Sequence, residues 1–216
     1  MNDAESAALV AEMSALGAAT LGESGGQPMA ARVSAVWAGA KVCGPAFCAR
    51  NTPGDNLAIH VAAAHAPRGS VIVASVGDVA ELGYWGEVLT TAAQARGVVG
   101  LVIDGGVRDV DALAAHRFGV FATVVALRGA TKDEAGEVAG TVRVGDVAVV
   151  TGDWVVGDAD GVTVIRAEEL EAVLAAGRAR AAKESAMFDA LRSGATTLSL
   201  LDLDPTKVVV SRVGGT

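Results

Sequence analysis

The sequence predicts an α/β protein, a single domain of residues 1–216 whose mixed β-sheet forms a sandwich or barrel flanked by helices. Three observations support this. The composition is 51% hydrophobic and 4% aromatic, which suits one core of Val, Ala and Leu. Short β-branched runs alternate with alanine-rich stretches. The strands expected between residues 141 and 165 have no helices between them, so a purely parallel, doubly wound sheet fits poorly.

The strands are predicted from short β-branched runs bounded by Gly, Asp or Arg, a pattern typical of buried strands. They cover residues 71–73, 98–103, 120–125, 147–150 and 162–165. Cys43 and Cys48 are five residues apart, which is the wrong spacing for a CxxC site, so buried free thiols are expected.

Two helices have ordinary start and stop residues. Asp55 is expected to cap the first helix, which stops before Pro67. The second lies in GEVLTTAAQARG, ends at Arg96 and Gly97, and is expected to bury one apolar face. That face consists of Val88, Leu89 and Ala92.

Two further helices follow. A short helix in DVDALAAHRFG is expected to begin at Asp109 or Asp111, with Gly119 just past its end providing a positive φ. A long, polar-faced helix is predicted from about residue 168 to residue 191. The tail LSLLDLDPTKVVVSRVGGT is apolar enough to pack, as a strand on the body or on a neighbouring subunit.

Charge and composition exclude several classes of protein. The formal net charge is −8 and no basic stretch occurs, which disfavours nucleic-acid binding. The apolar runs are too short to span a membrane and the N-terminus lacks a signal pattern, so a cytoplasmic protein is expected. No GxSxG, Walker A, HExxH or GxGxxG motif occurs in its proper setting.

The most informative segment is VVGLVIDGGVRDVDAL, where an apolar strand runs through two glycines into Arg108 and Asp109 at the start of a helix. Side chains at the carboxyl end of such a strand face the crevice where α/β folds bind ligands. A guanidinium there can bind a carboxylate bidentately, and a carboxylate can hold a hard cation. The alternative is an Arg–Asp pair that only closes the loop.

A second segment, GYWGEVLTT, places Gly83 and Gly86 before a helix that starts near Glu87. The first amides of that helix, those of Val88 and Leu89, can bind an anion. The alternative is a glycine turn that only permits close packing.

The histidines and the last acidic loop are expected to be structural. His60 and His65 are five residues apart and do not share one helix face, so a metal pair is disfavoured. His60 is expected to order a loop or lie near the core, and His116 to be isolated and exposed. Asp158 and Asp160 are expected to form a tight Asp–Gly turn rather than a calcium loop.

Four segments in order, GDNLAIH, Gly77–Asp78, WGEVLTTAAQARGVVGLVIDGGVRDV and GDADGVTVI, resemble the family that joins 4-hydroxy-4-methyl-2-oxoglutarate aldolases with the regulators of ribonuclease activity A. The resemblance covers about residues 44–165 and implies a fold of the β/β/α swivelling-domain type. Its catalytic branch implies a class II lyase that cleaves 4-hydroxy-2-oxo acids to pyruvate and also decarboxylates oxaloacetate.

The resemblance implies a role for each site residue. Arg108 would bind the carboxylate and C2 oxygen of pyruvate, and Asp109 would hold Mg²⁺ or Mn²⁺, partly through water. The amides of Val88 and Leu89, beside Gly86, would complete the carboxylate site. The expected base is a metal-linked water, with Glu87 as its helper.

The resemblance also implies a homo-oligomer, a trimer or a dimer of trimers, in which a neighbouring subunit supplies an acidic residue. Glu184 is the candidate, with Glu168, Glu169 and Glu171 as alternatives.

The sequence departs from the family pattern in two places. The acidic residue after the Arg–Asp pair comes early, at Asp111, and the segment ASVGD has Ala74 and Ser75 at its first positions. Two alternatives therefore stay open: a non-catalytic regulator that binds and masks a ribonuclease, and an enzyme of a specialised pathway that uses the same metal–enolate chemistry on another 2-oxo acid.

Overall fold

A computed structural model describes residues 3–209, and its largest element is a nine-stranded mixed sheet. The strands are β1 Gln27–Pro28, β2 Ser34–Ala35, β3 Val42–Asn51, β4 Val71–Ser75, β5 Gly83–Trp85, β6 Gly100–Asp104, β7 Gly106–Val107, β8 Gly119–Ala122, β9 Val124–Val125, β10 Gly136–Val138, β11 Thr141–Val144, β12 Val147–Val150, β13 Trp154–Asp158 and β14 Gly161–Ile165. The helices are α1 Asp3–Gly22, α2 Leu57–His65, α3 Glu87–Ala95, α4 Val110–Ala115, α5 Leu170–Arg192 and α6 Thr197–Leu200. Two short 3₁₀ helices cover Ala167–Glu169 and Pro205–Lys207.

The main sheet has the order β1-β14-β13-β3-β4-β6-β8-β2, and β10 pairs with β3 beside this path. Strands β3, β4, β6 and β8 run parallel, whereas the other pairings are antiparallel. A small parallel sheet, β5-β7-β9, and a hairpin, β11–β12, complete the strands. The predicted α/β class, with a mixed sheet that forms a sandwich or barrel flanked by helices, is confirmed, and the sheet is a curled half-barrel.

The two faces of the central sheet pack into different cores. Along β4, Val71 and Val73 point into a core shared with β11 and β12, whereas Ile72 and Ala74 point into a core shared with α2 and α3. This alternation follows from the two-residue period of a strand. A strand buried on both faces therefore appears in the sequence as an unbroken apolar run, as residues 71–74 do.

All five predicted strand regions contain strands, but the longest strand, β3, was not predicted. Its sequence VCGPAFCARN contains Gly44 and Pro45, which usually argue against a central strand. Gly44 is required because a β-carbon there would lie 2.3 Å from the carbonyl oxygen of Gly69. Cys43 and Cys48 are buried free thiols on this strand, as predicted, and burial raises the pKa of each to about 11.

The first two predicted helices are present, but two details differ. Asn56 occupies the N-cap position of α2 but makes no side-chain cap there, and the expected capping contact comes from Asp55, whose Oδ1 accepts a hydrogen bond from the Leu57 amide at 2.8 Å. The predicted apolar face of α3 is wrong, because Val88 is 78% exposed and Ala92 is also exposed. The buried residues are Leu89, Thr90 and Ala93. The Thr90 hydroxyl lies 2.7 Å from the indole Nε1 of Trp85, and this hydrogen bond satisfies its burial.

The short helix α4 begins after Asp109, as predicted, but the expectation for Gly119 is wrong. The positive φ falls on Arg117, at 52°, and Gly119 is the first residue of β8. A glycine is needed there for space, because a β-carbon would lie 2.0 Å from the carbonyl oxygen of Lys41. The predicted turn at Asp158 and Asp160 is present between β13 and β14.

The chain divides into two compact units, Met1–Gly177 and Arg178–Thr216. The first contains all the strands. In the second, the Thr196 side chain accepts a hydrogen bond from the Ser199 amide and so caps α6. A single domain stays a prediction. The long helix is confirmed as α5. The tail was expected to pack as a strand, but its described part, residues 198–209, contains the end of α6 and a 3₁₀ helix and no strand, and residues 210–216 lie outside the described residues. Among residues 3–209, none of the helices is both long and apolar enough to cross a bilayer.

Candidate functional site

The Arg–Asp corner follows β6, where Gly105 leads into β7 and then into Arg108 and Asp109 before α4. Strand β7 runs beside β5, and the amide of Arg108 donates a hydrogen bond to the carbonyl of Trp85 at 2.9 Å. The indole of Trp85 stacks on Phe118, with ring centroids 5.8 Å apart. Packing therefore fixes the backbone from which the Arg108 side chain extends.

Asp109 adopts the left-handed conformation, with φ 60° and ψ 38°, which only a few residue types tolerate at low cost. In this conformation its Oδ2 accepts a hydrogen bond from the Glu87 amide at 3.0 Å. The approach requires Gly86, because a β-carbon there would lie 2.3 Å from that oxygen. Gly83 likewise permits close packing, since its β-carbon would lie 2.7 Å from the carbonyl oxygen of Ala126.

The guanidinium of Arg108 is only loosely paired. Its Nε lies 3.8 Å from Oδ2 of Asp109, beyond hydrogen-bonding distance, and the two side chains are 44% and 40% exposed. Among residues 3–209 no hydrogen bond from the Arg108 guanidinium is observed. Its donors are therefore available for a ligand.

A cavity of about 220 Å³ lies in front of the corner. Five predicted site residues line it: Gly86, Val88, Leu89, Arg108 and Asp109. The other lining residues include Asn56, His60 and Lys132, which sequence reasoning did not place in the site. It is large enough for a small organic acid.

The N-terminus of α3 forms part of the cavity wall. Its first amides have no intrahelical acceptor, and in the described chain the amides of Val88 and Leu89 have no other acceptor. The Glu87 amide is already bound to Asp109. Two free amides at a helix start favour a bound anion, so the predicted carboxylate site has suitable donors.

Asn56 provides an independent indication of a ligand. It is 4% exposed, and its amide nitrogen donates a 2.7 Å hydrogen bond to the carbonyl of Tyr84. Its Oδ1 has no hydrogen-bond partner within the described residues. A buried acceptor without a partner costs about 1–3 kcal/mol, so an oxygen in this state in a cavity wall fits a bound donor or cation.

His60, expected to order a loop or lie near the core, is half-buried on α2 and also lines the cavity, which the sequence did not predict. Burial lowers its pKa, and the charge of Lys132 lowers it further against the opposing effect of Asp55. The imidazole is therefore neutral at neutral pH. Lys132 belongs to an exposed surface segment, and its sequence, ATKDEAG, contains no motif that could have identified it.

The side chain of Glu87 does not line the cavity. Its Oε1 lies 3.4 Å from Nε2 of His116, whose Nδ1 lies 3.0 Å from Oε1 of Gln94. His116 is thus neither isolated nor fully exposed, contrary to the sequence expectation. The catalytic role of Glu87 stays a prediction.

The donor set around Asp109 fits a magnesium or manganese ion. No group of three or more His, Cys, Asp or Glu side chains that could hold a metal occurs among residues 3–209. Mg²⁺, however, is usually bound by one or two carboxylates and keeps several waters. Asp109 and Asn56, whose Oδ1 is free, line the same cavity and offer hard oxygen donors, the type that this ion prefers.

The acidic residue expected from a neighbouring subunit stays a prediction. Glu184 lies on α5, with its Oε1 2.9 Å from Nε of Arg180. The three alternatives, Glu168, Glu169 and Glu171, are exposed around the start of the same helix.

Comparison with known proteins agrees with the resemblance. The sequence profile of the RraA-like family, described as Aldolase/RraA, matches residues 7–164. A protein of Halalkalibacterium halodurans with the provisional name 4-hydroxy-4-methyl-2-oxoglutarate aldolase is 34% identical over 146 residues, which cover 68% of this chain and 70% of that protein.

Two solved structures share the fold. An uncharacterised protein of Pseudomonas syringae superposes with a TM-score of 0.76 at 25% identity, covering 88% of this chain and 94% of that one. The RNA-processing inhibitor RraA of Thermus thermophilis has a TM-score of 0.60 at 23% identity, covering 65% and 85%. At that identity, the second likeness shows the fold alone.

Proposed function

The chain belongs to the RraA-like (Aldolase/RraA) family, and from this premise we propose that it is a divalent-metal-dependent aldolase acting on 4-hydroxy-2-oxo acids of the 4-hydroxy-4-methyl-2-oxoglutarate type. The products would be pyruvate and a second oxo acid. Decarboxylation of oxaloacetate would be a second activity of the same site, because both reactions pass through the enolate of pyruvate.

The observation that carries the proposal is the convergence of unpaired donors on one cavity. The Arg108 guanidinium and the amides of Val88 and Leu89 border the same 220 Å³ space as the Asp109 carboxylate. Arg108 would bind the substrate carboxylate and C2 oxygen through its planar fork, and the two amides would complete that site. An Arg–Asp pair that only closed the loop would be expected at hydrogen-bonding distance, not at 3.8 Å.

The proposed reaction breaks the bond between C3 and C4 of the substrate. A base takes the proton of the C4 hydroxyl, C4 becomes a carbonyl, and the electron pair of the broken bond forms the pyruvate enolate, which is then protonated at C3. A bound divalent ion supplies Lewis-acid stabilisation of the enolate charge. Arg108 adds a fixed positive charge and orients the substrate.

For the helper of the proton-abstracting water, the role expected of Glu87, His60 is the better candidate. It lines the cavity, and its lowered pKa keeps the imidazole neutral and able to accept a proton at neutral pH. Glu87 instead directs its carboxylate towards His116.

The proposal is tested by measuring pyruvate release from a panel of 4-hydroxy-2-oxo acids and from oxaloacetate. EDTA should abolish the activity and added Mg²⁺ or Mn²⁺ should restore it, because the enolate is too costly without Lewis-acid stabilisation. Asp109→Asn should respond little to added metal while remaining folded. Full activity in chelator would contradict metal dependence.

The panel also separates the alternatives. Activity on only one unrelated 2-oxo acid would indicate a specialised-pathway enzyme. Inactivity on every 2-oxo acid, together with tight binding to a ribonuclease, would favour the regulator.

We propose further that the protein is a trimer or a dimer of trimers, with Glu184 reaching a neighbouring site. Large apolar side chains exposed on the described chain, such as Val125 at 56% and Leu127 at 86%, are consistent with a buried interface. Light scattering that shows a monomer at working concentration would contradict this assembly.

A further inference from the structure

Asp55 makes more contacts than a helix cap requires. It is 1% exposed, and its Oδ1 accepts a hydrogen bond from the Leu57 amide at 2.8 Å. Its Oδ2 accepts three more, from the Thr131 hydroxyl at 2.8 Å, the Asp133 amide at 2.7 Å and the Glu134 amide at 3.2 Å. Three of its four donors therefore belong to the segment 131–134 and only one belongs to α2.

These hydrogen bonds keep the buried carboxylate charged. Burial by itself would raise the pKa of Asp55, but the four donors lower it to about 2. The four residues of the segment 131–134 are themselves exposed. A surface segment with little packing of its own is thus attached to a buried, ionised anchor, and hydrogen bonds to a charged group are stronger than those between neutral groups.

The same segment is tied to the backbone around Asp55. The Thr131 amide donates to the carbonyl of Gly54 at 2.9 Å, and the Asn56 amide donates to the carbonyl of Thr131 at 2.9 Å. Lys132, which lines the cavity, lies between two residues that hydrogen-bond to the Asp55 carboxylate. The position of the Lys132 backbone is therefore fixed on both sides.

We propose that Asp55 is a positioning residue that holds Lys132 in the cavity wall and so sets the affinity of the site for an anionic substrate. The choice of substrate rests on the proposed function, whereas the anchoring of the segment does not. Among residues 3–209, Arg108 and Lys132 are the two Lys or Arg side chains that line this cavity, so moving Lys132 should weaken binding more than it slows turnover.

Asp153 offers a matched control. It is 3% exposed and also anchors backbone, accepting hydrogen bonds from the amides of Val150 at 2.8 Å and Ala167 at 3.3 Å and from Arg166 at 3.2 Å. It is not among the residues that line the cavity. Asp55→Asn and Asp153→Asn therefore make the same chemical change to two buried anchors, of which one serves the site.

The first measurement is hydrogen–deuterium exchange of the full-length variants. Asp55→Asn should speed exchange at Asp133 and Glu134 by about tenfold or more and leave Val150 unchanged. Asp153→Asn should speed exchange at Val150 and leave exchange at Asp133 and Glu134 unchanged. Equal exchange at Asp133 and Glu134 in the wild type and Asp55→Asn would overturn the proposal, whether or not the protein has aldolase activity.

The second measurement is the split between KM and kcat for oxaloacetate. Asp55→Asn should raise KM several-fold with a smaller change in kcat. The rise in KM should be of the size expected for losing one exposed charge contact, that of Lys132 with the substrate. Lys132→Met should raise KM to a similar extent without changing exchange at Asp133, and Asp153→Asn should leave KM unchanged. A wild-type KM in Lys132→Met, or an equal rise in KM in both aspartate variants, would contradict the proposal.

A milder variant is available if Asp55→Asn does not fold. Thr131→Val removes one of the four donors to Asp55 from an exposed position. It should change exchange and KM in the same direction by a smaller factor, and wild-type values of both would overturn the proposal.

Discussion

Two arginines in this protein are equally exposed and both lie beside aspartates, yet their surroundings differ. Arg32 is 44% exposed, and its guanidinium donates to both carboxylate oxygens of Asp146 at 2.8 and 2.9 Å and to Asp104 at 3.0 Å. Arg108 is also 44% exposed, but the Asp109 carboxylate lies 3.8 Å away. The Arg32 guanidinium donates hydrogen bonds to side chains of the protein, whereas the Arg108 guanidinium donates none within residues 3–209.

The difference shows what distinguishes a binding arginine from a structural one. The two arginines are equally exposed, and their partners Asp104 and Asp109 are only five residues apart in the same corner, so neither the exposure of the arginine nor position in the sequence distinguishes the two pairs. Asp104 accepts an additional hydrogen bond from the Gly145 amide at 3.0 Å and so closes a network. Asp109 is held by the Glu87 amide in a strained conformation, beside a cavity. Strain and unpaired donors together are typical of a functional site.

The largest expected effect tests this distinction directly. Arg108→Lys keeps the charge but loses the planar fork, so it should lower kcat/KM for pyruvate release on the order of thirtyfold, equivalent to about 2 kcal/mol for a lost charge-assisted contact. Arg32→Lys is the matched control and should keep a wild-type rate. The comparison of the two arginines would fail if both variants lost activity equally, or if neither did.

The local parts of this site could be predicted from the sequence because they depend on neighbouring residues. The apolar run before Asp104, the two glycines after it and the helix start at Glu87 are all visible in one window of sequence. The structure places them as expected, and Gly86 shows why the spacing matters, since only a glycine lets Asp109 reach the Glu87 amide.

The remaining residues could not be found in this way because long-range pairing brings them in. Lys132 reaches the cavity because the chain just before it pairs at two points, Gly129 with Gly83 and Thr131 with Asp55. His60 lies on α2 and Asn56 precedes it at the N-cap position, and the place of this helix depends on β3. Gly44 and Pro45 make β3 unrecognisable in the sequence. Such contacts are fixed by the fold, not by any local pattern.

A smaller effect is expected from moving Asp109 without removing it. Gly86→Ala would place a β-carbon 2.3 Å from Oδ2 of Asp109 and 3.2 Å from Cγ of Arg108, so the carboxylate must leave the Glu87 amide. Because the charge is retained at a shifted position, kcat/KM should fall on the order of tenfold, and the concentration of Mg²⁺ needed for half-maximal activity should rise.

Gly129→Ala adds a methyl group to the same cavity with its nearest neighbour, Nη1 of Arg108, at an ordinary 3.7 Å, so it should keep a rate close to wild type. Steady-state kinetics at several Mg²⁺ concentrations would measure both variants. Equal losses would mean that any added methyl group blocks the cavity, whereas a loss confined to Gly86→Ala would show that the position of the Asp109 carboxylate, and not merely its presence beside Arg108, separates this corner from the closed network around Arg32.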